Sequence, residues 1–169
     1  MKKLLIIISL FYVTLGLVGC SNSNDRFNVR NSWCSEQITP TVEQLTLSAD
    51  ILFLYNDSSL DGTSLDGKAQ LAKLVSHLNE NNLNNIKSIK IVGYTDRIGS
   101  TQYNDKLGLA RAETIKQYLE DHNIQTEYII ESKGKEDPIS DGCFTLSGDE
   151  LKACLQPDRR VQLYIEREN

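Results

Sequence analysis

No apolar run in these 169 residues reaches the roughly 20 needed to cross a bilayer as a helix. The longest, Leu4 to Val18, has 15, and no stop-transfer charge cluster follows it. Positive charge is scarce as well: 18 Lys and Arg face 23 Asp and Glu, for a formal net charge of −5. That balance excludes a nucleic-acid surface, which needs a basic stripe, and it sets the chain against anionic lipid headgroups. Histidine is nearly missing. His77 and His122 are the only two, both far in sequence from Cys143 and Cys154, so zinc coordination lacks its ligands. Neither a metal site nor a cofactor motif is expected. Internal repeats and low-complexity segments are also absent, which leaves one domain as the organisation.

What is present begins at the N-terminus. Lys2 and Lys3, then the apolar stretch, then the small residue Gly19 follow the layout of a signal peptide. Leu17-Val18-Gly19-Cys20-Ser21 resembles the lipobox of bacterial lipoproteins. The resemblance implies removal of residues 1–19 and acylation of Cys20. With serine instead of aspartate after the cysteine, it also implies delivery to the outer membrane, the anchored chain facing the periplasm. Lys2 and Lys3 are the only charges in residues 1–19, so cleavage takes the balance from −5 to −7. The acyl chains are then the membrane link, and a triacylated cysteine exceeds the two chains that stable anchoring needs. Residues 20–43 are polar, carry Pro40 and read as a tether. Trp33 is the exception, either docked on the domain or left in the linker.

The remaining cysteines divide unequally. Cys143 and Cys154 lie beyond the export signal with ten residues between them, and an oxidised pair is expected. Closing a loop that short stabilises by roughly 3 kcal/mol on the chain-entropy estimate. Cys34 is left over. It stays reduced, pairs between two chains, or joins a partner protein, and the sequence does not choose.

From residue 44 to the end the pattern is globular. Leu45, Leu47, Ile51, Phe53 and Tyr55 give a broken period-two signal that predicts a strand over about 45–54. Leu71, Leu74, Val75 and Leu78 recur at helical spacing and predict a helix over 64–80. Ile89 and Ile91 mark a second strand closed by Gly93, and Ala112, Ile115 and Leu119 form the stripe of a helix over 104–122. A strand at 128–132, a helical turn at 147–154 opened by a Ser147/Glu150 capping box, and a strand at 161–165 complete the pass. The fold class is α/β, an α+β sandwich of order βαβα(β)β with helices packed on one mixed sheet.

Gly93-Tyr94-Thr95-Asp96-Arg97-Ile98-Gly99-Ser100, followed by Tyr103-Asn104, Leu107 and Arg111-Ala112, resembles the signature of OmpA-like peptidoglycan-binding domains. Leu52-Phe53 with Asn56, and Cys154-Leu155 with Pro157-Asp158-Arg159-Arg160-Val161, extend the resemblance over about 45–166. A lipidated cysteine ahead of such a domain resembles the peptidoglycan-associated lipoproteins. The implied ligand is the peptide stem of peptidoglycan, chiefly its diaminopimelate residue. One carbon of that residue bears an ammonium and a carboxylate. The resemblance assigns the ammonium to Asp96 and the carboxylate to Arg111, whose planar fork of donors matches it. Asn104 positions the loop or meets the ligand, Thr95 shapes the turn, and Arg160 supplies a second cation.

Plainer readings stand beside these. Asp96 and Arg111 would also make a structural ion pair, Asn104 a helix cap, and Arg159 a solvated charge. Gly99 would permit a backbone angle that other residues resist. Two positions depart from the family pattern. Gly108 replaces a common serine and is expected to weaken the helix that presents Arg111; Leu54 replaces a polar residue near the rim. The resulting expectation is a non-enzymatic anchor between outer membrane and cell wall. The alternative is an interaction module that fixes a partner, or an envelope machine such as a secretion system, to the wall. Catalysis finds no support: neither histidine stands near a serine or free cysteine in a recognisable motif.

Overall fold

The computed structural model describes residues 41–168 apart from Asn82. The signal segment, Cys20, Trp33, Cys34 and most of the expected tether lie outside the described residues. Strand β1 (Val42–Ser48) opens the domain two residues before the expected boundary, and a one-turn helix α1 (Ala49–Leu52) follows directly. Then come helix α2 (Leu65–Glu80), strand β2 (Ile86–Tyr94), helix α3 (Thr101–Asp121) and strand β3 (Glu127–Gly134). Helix α4 (Gly148–Cys154) and strand β4 (Arg160–Arg167) close the chain, with single 3-10 turns at Leu83–Asn85, Cys143–Thr145 and Gln156–Asp158.

The four strands form one sheet in the order β1-β4-β2-β3. β4 runs antiparallel to both neighbours, while β2 and β3 are parallel and joined through α3, as a crossover connection requires. Alternation along the strands sends Leu47, Ile89, Ile91, Val161, Leu163 and Ile165 to one face. There they meet Leu71, Leu74 and Leu78 of α2 and Ala112, Ile115 and Leu119 of α3 in a single core. Among the described residues no helix is long and apolar enough to cross a membrane.

The strand expected over 45–54 stops at Ser48. Beyond it the buried positions are Ala49, Leu52 and Phe53, a helical spacing, while Ile51 is 37% exposed. The Ala49 amide donates to the Arg159 carbonyl and the Phe53 amide to the Ala49 carbonyl, which bends the chain out of the sheet. Helix α3 also starts earlier than expected, because Ser100 caps it: the Ser100 hydroxyl accepts from the Tyr103 amide at 3.2 Å. The Ser147 capping box does not form, since Ser147 makes no side-chain capping bond to α4. Gly99 has φ +96°, the left-handed region expected for it. Cys143 and Cys154 are joined by a disulfide.

Gly108 is not the weak point that helix propensity implies. A Cβ on Gly93 would lie 1.9 Å from the Gly108 carbonyl oxygen, and one on Gly108 would lie 2.4 Å from Ser132 Oγ and 2.9 Å from the Gly93 oxygen. Two glycines thus let the backbones of α3 and β2 touch, which seats the helix close to the sheet one turn before Arg111. Gly93→Ala is expected to destabilise the domain by about 3 kcal/mol or more, since backbone has to move; a fall in the urea midpoint at unchanged slope checks it. A second prediction concerns alkali. Burial, helped by Glu120, pushes the Tyr128 phenol up to about 12. A raised folded value means stability that is present below the free phenol's range near 10 and lost as pH rises towards about 12. Tyr128→Phe is expected to flatten that loss in denaturation midpoints measured between pH 9 and 11.

Candidate functional site

Three segments meet at one end of the sheet: the turn after β1, the loop between β2 and α3, and the start of β4. With the first turns of α3 they frame a small open pocket of about 50 Å³ lined by Asp50, Tyr55, Asn56, Thr95, Asp96, Ile98, Tyr103, Asn104, Leu107, Arg111 and Arg159. Four of the five residues expected to form the site, Thr95, Asp96, Asn104 and Arg111, therefore share this pocket. The fifth does not.

Asn104 and Arg111 fall on the buried stripe of α3 together with Gly108, Ala112, Ile115 and Leu119. A helical face that is apolar for three turns becomes polar where it reaches the pocket. Asn104 is not the helix cap, a role Ser100 fills; its Nδ2 donates to the Ile98 carbonyl at 3.0 Å and so pins the loop. Thr95 donates its amide to the Gly134 carbonyl at 2.7 Å, and its buried Oγ1 has no partner.

Arg111 is 2% exposed. Its Nε donates to the Asp57 carbonyl at 2.9 Å, its guanidinium lies 5.3 Å from the Phe53 ring centroid, and its buried Nη1 has no partner. Among the described residues no carboxylate lies within 4 Å of it. Burial holds its proton affinity below the ordinary value, Asp50 and Asp96 opposing from a distance and Arg159 adding to the effect. The loop carrying Asp57 is shaped for this contact. Asn56 adopts a left-handed φ of 63° and accepts from the Tyr103 hydroxyl, and the Asp57 carboxylate accepts the amides of Ser58 and Ser59 at 2.6 and 3.0 Å.

Asp96 and Arg111 are not paired with each other. Asp96 Oδ1 accepts the Ile98 amide at 2.8 Å, and Oδ2 accepts Arg159 Nη1 at 2.8 Å. Arg159 also grips Asp50 through two parallel bonds of 2.7 and 2.6 Å, and both of its terminal nitrogens donate to the Lys152 carbonyl at 3.1 Å. Asp50, then Asp96, hold the Arg159 guanidinium well above its usual value against the cost of burial. Among the described residues the pocket therefore holds two carboxylates and two guanidiniums, formally neutral overall, with the Arg111 guanidinium left unpaired.

Arg160, expected as the second cation, lies outside the pocket. Neighbouring residues entering a strand point to opposite faces; Arg160 lies over the Tyr94 ring at 3.7 Å and donates to the carbonyls of Asp158 and Asp137. Arg159, read as a solvated charge, is the second cation instead. Asp50 was not signalled at all, because the broken alternation placed it in a strand. Leu54 packs over Gly62 and away from the pocket.

A model of the OmpA family matches residues 52–145. The chain belongs to the OmpA family. Outer membrane protein A of Serratia marcescens is 35% identical over 129 residues, covering 73% of this chain and 35% of that protein; the chain thus spans about a third of its length. The OmpA-like fold recurs in a MotB-like protein of Desulfovibrio vulgaris (TM-score 0.57, 21% identity, 76% of this chain and 75% of that one). It recurs again in the cell wall anchor of the type VI secretion system of Pseudomonas aeruginosa (TM-score 0.55, 18% identity, 76% and 88%). Among the described residues of this OmpA-like domain, no cluster of three metal-ligating side chains occurs.

The Arg159 fork generates a prediction of its own. Arg159→Gln leaves the buried Asp96 and the more exposed Asp50 without their shared cation and is expected to cost about 2 kcal/mol, most of it at Asp96, read as a lower urea midpoint. Arg159→Lys is expected to recover less than half of this, because an ammonium lacks the two-pronged geometry.

Proposed function

We propose that this OmpA-like domain binds the peptide stem of peptidoglycan through the diaminopimelate carbon that carries both an ammonium and a carboxylate. The observation that carries this reading is Arg111: a guanidinium buried to 2% exposure, with an orphan Nη1 and, among the described residues, no carboxylate within pairing distance. A buried cation without an anion is costly, and a ligand carboxylate relieves the cost through charge-assisted bonds. Asp96 complements it. A carboxylate has about four acceptor sites, and Asp96 uses two, on the Ile98 amide and Arg159, so an ammonium finds lone pairs still free. The pocket's balance of two negative and two positive groups matches a ligand carbon that is itself neutral overall.

The role is binding, not catalysis. With Cys20 acylated, the domain links the outer membrane to the wall, and the interaction is non-covalent and reversible. Family membership supports the wall contact, and the lipobox resemblance supports the membrane end.

The test is co-sedimentation of residues 21–169 with purified diaminopimelate-type sacculi, with folding checked by circular dichroism. Wild-type protein is expected to pellet, less at high salt. Asp96→Asn and Arg111→Gln are each expected to weaken binding about tenfold or more. Folded wild-type protein that stays in the supernatant, or variants that pellet as well as wild type, would reject the reading.

A further inference from the structure

Beside the first pocket lies a second hollow of about 210 Å³, open to solvent and bounded by Asp50, Phe53, Tyr55, Lys152 and Arg159. Asp50, Tyr55 and Arg159 also line the first pocket, so the two hollows share a wall and a single extended molecule can occupy both. Their chemistry differs. In the second hollow Asp50 and Arg159 neutralise each other through their two parallel bonds. The cation left to act is Lys152.

Lys152 is held in two unlike ways. Its carbonyl accepts both terminal nitrogens of Arg159, which fixes its backbone to the pocket wall. Two residues on, the disulfide from Cys154 fixes the end of α4 to Cys143, whose carbonyl accepts Arg97 Nη2 at 2.8 Å next to Asp96. The Lys152 ammonium, by contrast, is engaged among the described residues by Asp149 alone, at 3.0 Å across three residues of α4, and the Asp149 side chain is 97% exposed. An ion pair that open to water holds its partner weakly. A rigid backbone thus presents a loosely held positive charge at the mouth of a hollow whose remaining walls are the Phe53 ring and the Tyr55 ring, the latter 80% exposed.

We propose that this hollow is a second subsite, which takes a carboxylate of the stem peptide beyond the zwitterionic carbon onto the Lys152 ammonium, with Tyr55 packing along the aliphatic chain between the two. The proposal rests on the reading of the first pocket given above. The ligand chemistry fits: a stem peptide carries carboxylates on its glutamyl residue and at its chain terminus in addition to the one at the zwitterionic carbon. An acidic peptide is therefore discriminated from the same peptide with those carboxylates amidated.

The test titrates the full-length chain, purified in mild detergent, with two forms of the tripeptide alanyl-γ-glutamyl-diaminopimelate. One form is the free acid. The other has its glutamyl and terminal carboxylates converted to carboxamides, the zwitterionic carbon untouched. Wild-type protein is expected to prefer the acid about three- to fivefold. Lys152→Gln is expected to bring the acid down to the affinity of the amide and leave the amide unchanged, whereas Lys133→Gln, the same charge change on β3, leaves the preference intact. Equal wild-type affinity for the two forms, or a Lys152→Gln variant that weakens both alike, overturns the subsite while the first pocket stands. If wild-type protein binds neither peptide, the reading of the first pocket fails and the subsite with it.

Discussion

Arg159 holds three separate pieces of this domain at one point. Its fork ties the one-turn helix after β1 through Asp50, the β2–α3 loop through Asp96, and the disulfide-closed segment through the Lys152 carbonyl. These pieces are short or irregular: α1 is four residues long and the β2–α3 loop has no regular structure. A guanidinium suits the task because five donors in one plane serve several acceptors at once. The arrangement also fixes the electrostatics of the pocket. With Asp50 and Asp96 both engaged by Arg159, Arg111 is left, among the described residues, as the pocket's cation without a counterion.

The second constraint is steric. Gly93 and Gly108 bring α3 against β2 at backbone distance, and Asn104 and Arg111 flank that contact on the same helical face. Their side chains are therefore aimed by close packing and not by flexible reach. The loop between the two elements is pinned from both sides, by Asn104 on the Ile98 carbonyl and by Arg97 on the Cys143 carbonyl. The pocket's side chains are thus held in place by contacts of the fold itself, which is the sense in which the pocket is pre-organised.

The sequence was most legible where periodicity and local chemistry agree. The helix expected over 64–80 is α2 with Ser64 as its cap, and the later strands differ from expectation only in their ends. The motif around Asp96 and Arg111 placed both in one pocket. What escaped has physical causes. Ile51, Phe53 and Tyr55 continue the broken period-two signal of Leu45 and Leu47, yet the chain leaves the sheet there because the core is filled by Ala49, Leu52 and Phe53 at helical spacing. Arg159 and Arg160 are chemically alike and adjacent; only the register of β4 against β1 and β2 decides which of them faces the pocket. Helix propensity is a local quantity, whereas the role of Gly108 is set by a strand fifteen residues earlier. Asp50 carries no local signal, since its importance lies in a partner 109 residues away.

The position of β1 has a mechanical consequence. It is an edge strand, it begins at Val42 where the preceding chain enters, and it ends at Ser48, two residues before Asp50 in the pocket wall. Tension applied between that entering chain and a ligand seated in the pocket therefore runs along the axis of β1, from one end to the other. Its antiparallel ladder with β4 spans Val42↔Glu166 to Ser48↔Arg160 and is loaded lengthwise. Every rung resists together, instead of the strand peeling away one bond at a time.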